Sequence, residues 1–183
     1  IEKYGNRLET IILPNVAVLS WEQEEQVIRF LQSGKGLVMT GMTGRMDEEG
    51  EERAQEECLL WEFLGLSKSG SVTGVCGDSK DDWMNHETHN YLKGNDTFNP
   101  LLEGLEDTSI LPFGGSVVET ASSGPLEAIF HLIPAFPIYP PEFSWIREER
   151  EDLGTIFAGE LENGARVVYI CLLYTSDAAD DLI

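Results

Sequence analysis

Two strand-then-helix units near the start of this sequence constrain its fold more than any other feature. Residues 10–13 form a short apolar run, partly β-branched and followed by a turn signal, as expected for a buried parallel strand. Ser20 then begins an amphipathic segment, Gln23 is placed to complete a capping box, and Gly34 is placed to end the helix. A second buried run, at residues 36–40, follows. The pattern predicts an α/β fold with a mostly parallel sheet.

The stretch of residues 45–57 is dense in Asp and Glu. It could bind a cation, but it lacks EF-hand spacing, so we interpret it as an acidic loop leading into a helix N-terminus, where the dipole favours carboxylates. This second helix is predicted to end at Gly65 and to bury an apolar face made of Ala54, Cys58, Leu60, Trp61 and Leu64. On the first helix, the side chains expected to face water are Glu22, Glu24, Glu25 and Arg29.

The second half of the chain has a different character. Residues 66–100 are polar and rich in Gly, Asp and Asn, and they predict a long excursion from the core. Beyond them, turn signals separate four strand-like runs, at residues 116–120, 128–133, 155–161 and 166–172. These additional strands need not all be parallel. Four prolines, Pro134, Pro137, Pro140 and Pro141, predict an extended segment that lies outside any central strand.

Composition excludes several classes of partner. The chain has 183 residues, which suits one domain, and its 12 Lys and Arg against 33 Asp and Glu give a net charge of −21. We therefore expect neither nucleic-acid binding nor attachment to an anionic membrane. Three cysteines without CxxC spacing favour a reducing compartment, and we predict a cytoplasmic protein. The sequence does not begin with Met, and we interpret it as part of a longer polypeptide.

Cys76 is a candidate nucleophile, with His86 or His89 as its base. No strong strand precedes Cys76, and nearby aspartates would raise a thiol pKa, so a loop cysteine is the alternative that we favour. The two histidines could also bind a metal ion together with Asp78, Asp81 and Asp82. Their spacing does not match the HExxH motif, and we predict neither a metal site nor a cofactor.

The segment of residues 139–145 (Tyr-Pro-Pro-Glu-Phe-Ser-Trp) is the most unusual local sequence. Aromatic rings beside a carboxylate suit a sugar, so Tyr139, Glu142 and Trp145 are candidate carbohydrate contacts. The alternative is a rigid proline-rich turn with packed aromatic rings. A glycosidase needs two carboxylates at a set separation, and the sequence reveals no such pair.

Six short motifs, in this order, resemble a known family. They are Ile-Ile-Leu-Pro-Asn at 11–15, Leu-Ser-Trp-Glu-Gln at 19–23, Ser-Gly-Lys-Gly-Leu-Val at 33–38, Asn-Pro-Leu-Leu-Glu-Gly-Leu at 99–105, the 139–145 segment, and Asn-Gly-Ala-Arg-Val-Val-Tyr at 163–169. The first three motifs resemble the glutamine-amidotransferase-like domain, often called the trimerisation domain, of family 42 β-galactosidases. The last three resemble related, largely uncharacterised glycoside hydrolases with the same pattern, so the resemblance covers about residues 7–170.

The resemblance implies a flavodoxin-like three-layer sandwich and permits a test of catalytic competence. Active class I glutamine amidotransferases carry a nucleophilic cysteine directly after the strand equivalent to residues 36–40, where this chain has Met-Thr-Gly-Met-Thr at 39–43. The resemblance therefore implies a non-catalytic accessory domain. It would pack against the catalytic barrel of the same polypeptide and contribute to a homo-oligomer.

The two ends of the chain depart from the family pattern. The first strand and helix of such a domain should precede Ile1, so we expect an incomplete sheet on that side. Residues 172–183 resemble translated adapter sequence, with a frayed, disordered acidic terminus as the alternative, and we expect the domain to comprise residues 1–171. Three hypotheses for function follow: an accessory domain of a glycoside hydrolase, an autonomous thiol amidohydrolase using Cys76, and a sugar-binding or scaffolding module.

Overall fold

The computed structural model describes residues 7–74, 87–94, 99–105, 108–113, 115–137 and 141–173. The helices of this part are α1 (Trp21–Gln32) and α2 (Leu59–Leu64). Its strands are β1 (Thr10–Leu13), β2 (Gly36–Thr40), β3 (Leu66–Gly74), β4 (Glu87–Gly94), β5 (Ile110–Phe113), β6 (Ser116–Ser122), β7 (Glu127–Pro137), β8 (Arg150–Glu160), β9 (Arg166–Ile170) and β10 (Leu172–Leu173). A mixed seven-stranded sheet has the order β1-β2-β9-β8-β7-β4-β5, and a smaller antiparallel sheet has the order β10-β6-β3.

The β1-α1-β2 unit confirms the prediction from sequence, including the bounds of both strands. Helix α1 begins with a capping box, in which the Ser20 hydroxyl accepts from the Gln23 N–H and the Gln23 side chain accepts from the Ser20 N–H. Gly34, at φ 82°, follows the last turn of the helix. β1 and β2 pair in parallel, as a crossover through a helix requires.

The prediction of a mostly parallel sheet was wrong. Only the β1–β2 and β2–β9 pairs of the larger sheet are parallel, and its other four pairs are antiparallel. For the β8–β9 pair the reason is visible at the turn, where residues 161–165 are too few for a crossover and include Gly164 at φ 83°. A connection this short forces β8 and β9 to run in opposite directions.

The second helix is shorter than its apolar pattern predicted. Residues 55–57 form a 3₁₀ turn, and α2 has six residues. Gly65 ends α2 in the left-handed conformation at φ 68°, as predicted. The chain then enters β3, which pairs antiparallel with β6, so no second parallel crossover follows.

The predicted excursion over residues 66–100 was also wrong, because these residues contain β3 and β4. Strand β4 lies between β7 and β5 in the larger sheet. Its polar composition concealed it, yet Asn90 and Leu92 are buried, and the Asn90 amide donates to the Gly115 carbonyl at 2.9 Å. A buried polar side chain of this kind weakens the hydrophobic signal of a strand.

Pro134 and Pro137 lie inside β7, contrary to the prediction that they stand outside a central strand. The β4–β7 register shifts between the Tyr91–Ile133 and His89–Phe136 pairs, which places Pro134 at the irregularity. The ladder between β7 and β8 reaches only to Leu132. A proline fits inside a strand at an irregularity of this kind, because its missing N–H is not needed there.

The two faces of the parallel region differ in burial. On one face, Leu37 and Met39 of β2 are buried in the main core with Val27 and Leu31 of α1. On the opposite face, Ile12 is 65% exposed, and its neighbours in register are only partly buried. β1 is an edge strand of the larger sheet.

The close approach of Gly65 to Gly124 leads to a stability prediction. A Cβ on Gly65 would lie 2.6 Å from the Gly124 backbone, and the residue has positive φ. We expect Gly65→Ala to lower the free energy of unfolding by about 2–5 kcal/mol through left-handed strain and overpacking. Gly50, at φ 85° with nothing within 4 Å, is the matched control, and Gly50→Ala should cost only about 1–2 kcal/mol. Urea denaturation measures both, and equal losses would show that the close approach contributes nothing.

Candidate functional site

The loops that follow β1 and β2 meet at the carboxyl edge of the parallel strands. This edge is where α/β sheets bind ligands and where an amidotransferase nucleophile would stand. The two loops are tied together by backbone hydrogen bonds, from the Gly44 N–H to the Val16 carbonyl and from the Met46 N–H to the Ala17 carbonyl, each at 3.0 Å. The candidate site is therefore assembled from residues 14–20 and 41–53.

The turn after β2 uses both of its hydroxyls to hold this structure. The fully buried Thr43 hydroxyl donates to the Thr40 carbonyl at 2.7 Å and accepts from the Val16 N–H at 3.1 Å. The Thr40 hydroxyl accepts from the Asn15 N–H, and the Asn15 side chain in turn accepts from the Met42 N–H, each at 2.9 Å. Among the described residues, the hydrogen-bond partners of both threonine hydroxyls are backbone groups, and none of them is a base.

Two core aromatic residues donate hydrogen bonds to carbonyl groups of the same turn. The indole N–H of Trp61 donates to the Thr43 carbonyl at 2.7 Å, and the Tyr169 hydroxyl donates to the Gly41 carbonyl at 3.0 Å. The two rings meet edge to face at 5.3 Å between centroids, and the Arg45 guanidinium lies 5.0 Å from the Trp61 ring. Burial holds the pKa of Tyr169 well above its usual value, so this phenol stays protonated. The turn is thus a structural junction.

A buried ion pair fixes the neighbouring loop to both helices. Glu24 has no exposed surface, and its carboxylate accepts from Arg53 at 2.6 Å and from the Leu60 N–H at 2.9 Å. The second Arg53 amino group donates to the Leu19 carbonyl at 2.6 Å. Burial raises the pKa of Glu24, while the Leu60 N–H and Arg53 oppose that rise. The prediction that Glu24 faces water was wrong, because helical periodicity does not reveal a cation that arrives from a distant loop.

An open cleft of about 480 Å³ lies beside this pair. It is lined by Ser20, Trp21, Glu22, Asp47, Glu48, Glu49, Arg53 and Glu57. Trp21 is 60% exposed, and Arg53 is already compensated by Glu24, so the cleft carries a net negative charge. Such a lining disfavours phosphates and other anions. Among the residues that the structure describes, no three or more His, Cys, Asp or Glu side chains are grouped so that they could hold a metal ion.

The predicted sugar-contact residues are described only in part. Glu142 is exposed in a 3₁₀ turn at residues 141–143. Trp145 is 47% exposed, and the Arg147 guanidinium lies 4.8 Å from its ring centroid. Tyr139 lies outside the described residues. The carbohydrate contact stays a prediction.

The predicted thiol site falls mainly on residues outside the described ranges. Cys76 and His86 lie outside the described residues. Only the backbone of His89 is described, in β4, where it pairs with Phe136 of β7. The other two cysteines, Cys58 and Cys171, are free and buried. Burial raises the pKa of both thiols, which makes them poor nucleophiles. Within the described ranges, no helix is long and apolar enough to span a membrane.

Comparison by sequence finds neither a matching protein family nor a matching curated protein. Comparison by structure finds β-galactosidase from Bacillus circulans sp. alkalophilus, with a TM-score of 0.62 and 11% identity over 91% of this chain and 20% of that one. Gan42B, a GH42 β-galactosidase from G. stearothermophilus, gives a TM-score of 0.60 with 14% identity over 98% of this chain and 21% of that one. The mmIFT52 N-terminal domain gives a TM-score of 0.55 with 13% identity over 93% of this chain and 68% of that one.

The likeness is one of fold. This chain spans about one fifth of the length of these β-galactosidases, and its α/β fold resembles a subdomain of them. The same fold occurs in the mmIFT52 domain, where it makes up most of the compared chain. At these sequence identities the comparisons show the fold alone, and an activity has to be inferred from the residues of the site.

Proposed function

We propose that this chain is a non-catalytic accessory domain of a β-galactosidase-like or other glycoside hydrolase and serves carbohydrate metabolism. The observation that carries the proposal is the turn after β2. It has no thiol, and both of its hydroxyls hold the backbone of adjoining loops. The likeness to a subdomain of family 42 β-galactosidases supports the choice of parent enzyme.

The role that we propose is architectural. The domain packs against a catalytic barrel in the same polypeptide and contributes to a homo-oligomer in the cytoplasm. In the complete protein we propose a flavodoxin-like three-layer core. The strongly acidic composition would repel nucleic acid and an anionic membrane, which supports a protein as the partner of this domain.

The decisive test is hydrolytic activity of the purified chain. We expect no release of ammonia from glutamine and no cleavage of a nitrophenyl β-galactoside, since the chemistry belongs to the barrel. Glutaminase activity that is lost in Cys76→Ser and kept in the control Cys58→Ala would overturn the proposal in favour of a thiol amidohydrolase. Sedimentation velocity over a concentration series tests the oligomer separately, and a monomer at every concentration would remove that part of the role.

A contact with carbohydrate is a second candidate function, favoured by the exposure of Trp145 beside Arg147. An exposed indole supplies a face on which a sugar ring can stack, and exposed Glu142 supplies hydroxyl acceptors. We expect Trp145→Ala to weaken binding of galacto-oligosaccharides at least about tenfold, equivalent to 1.4 kcal/mol. Trp21→Ala, which removes a comparably exposed indole elsewhere, is the control. Isothermal titration calorimetry measures both, and equal affinities for the two variants would contradict this contact.

A further inference from the structure

We draw no further inference here: the strongest candidate, the open outer edge of β1 with the exposed Ile12 on the less buried face of the sheet, offers hydrogen-bonding groups to an added strand, but nothing in the described part of the chain shows what covers it.

Discussion

Replacing Glu24 with alanine is expected to lower the free energy of unfolding by about 3–5 kcal/mol. The change leaves the Arg53 guanidinium, whose side chain is 7% exposed, without its carboxylate partner, and it leaves the Leu60 N–H at the start of α2 without an acceptor. An uncompensated buried charge costs far more than a lost surface contact. Since small domains are stable by only about 5–15 kcal/mol, this variant should unfold at a much lower urea concentration.

Two further variants separate the buried charge from general effects on helix α1. Glu25→Ala, on the same helix, removes the exposed partner of Arg29 and should cost no more than about 0.5 kcal/mol. The double variant Glu24→Leu with Arg53→Met removes both charges and should recover much of the loss, because burial already opposes ionisation of Glu24. A double variant less stable than Glu24→Ala would show that the loss of stability in Glu24→Ala does not come from the unpaired Arg53 charge.

Truncation of Trp61 is expected to have a comparable effect. The side chain is fully buried, contacts Tyr169 edge to face, and donates to the Thr43 carbonyl in the turn after β2. Trp61→Ala should therefore cost about 3–5 kcal/mol by leaving a cavity. Because the indole also anchors the turn, the amide protons of residues 41–44 should exchange faster with solvent.

The Trp61→Phe variant keeps an aromatic ring and removes the donor, so it should retain most of the packing and lose about 1–3 kcal/mol. Phe63→Ala, on the same helix at 36% exposure, is the control for helix truncation in general. Thermal and urea unfolding give the stabilities, and hydrogen exchange gives the local effect. A Trp61→Ala variant no less stable than Phe63→Ala would contradict the anchoring role.

Local signals predicted the first part of the fold well. The bounds of β1 and β2, the capping box at Ser20 and the stop at Gly65 all depend on a few consecutive residues, and the structure confirms each. Strands β6 to β9 were predicted within about five residues of their observed bounds, whereas β3 and β4 were predicted as an excursion and β5 was not predicted. The predicted strand directions also failed, because direction depends on connections and partners that periodicity does not encode.

The candidate site could be predicted only where a single position decided the chemistry. The sequence alone shows that no cysteine follows β2. It does not show that the Thr40 and Thr43 hydroxyls form hydrogen bonds with the backbone. The Glu24–Arg53 pair joins residues 29 positions apart, and Glu24 stands among solvent-facing glutamates with no distinguishing mark. Burial of a charge is a tertiary property, so the sequence pattern concealed the pair.

The parallel pairing of β2 with β9 has a consequence for biosynthesis. Leu37 lies opposite Val167, so β2 receives its second neighbour only from a segment that is translated 130 residues later. Closing so long a loop is entropically costly and slows folding. While the ribosome is still translating the intervening residues, β2 lacks this neighbour, and its unpaired side is a place where aggregation can begin.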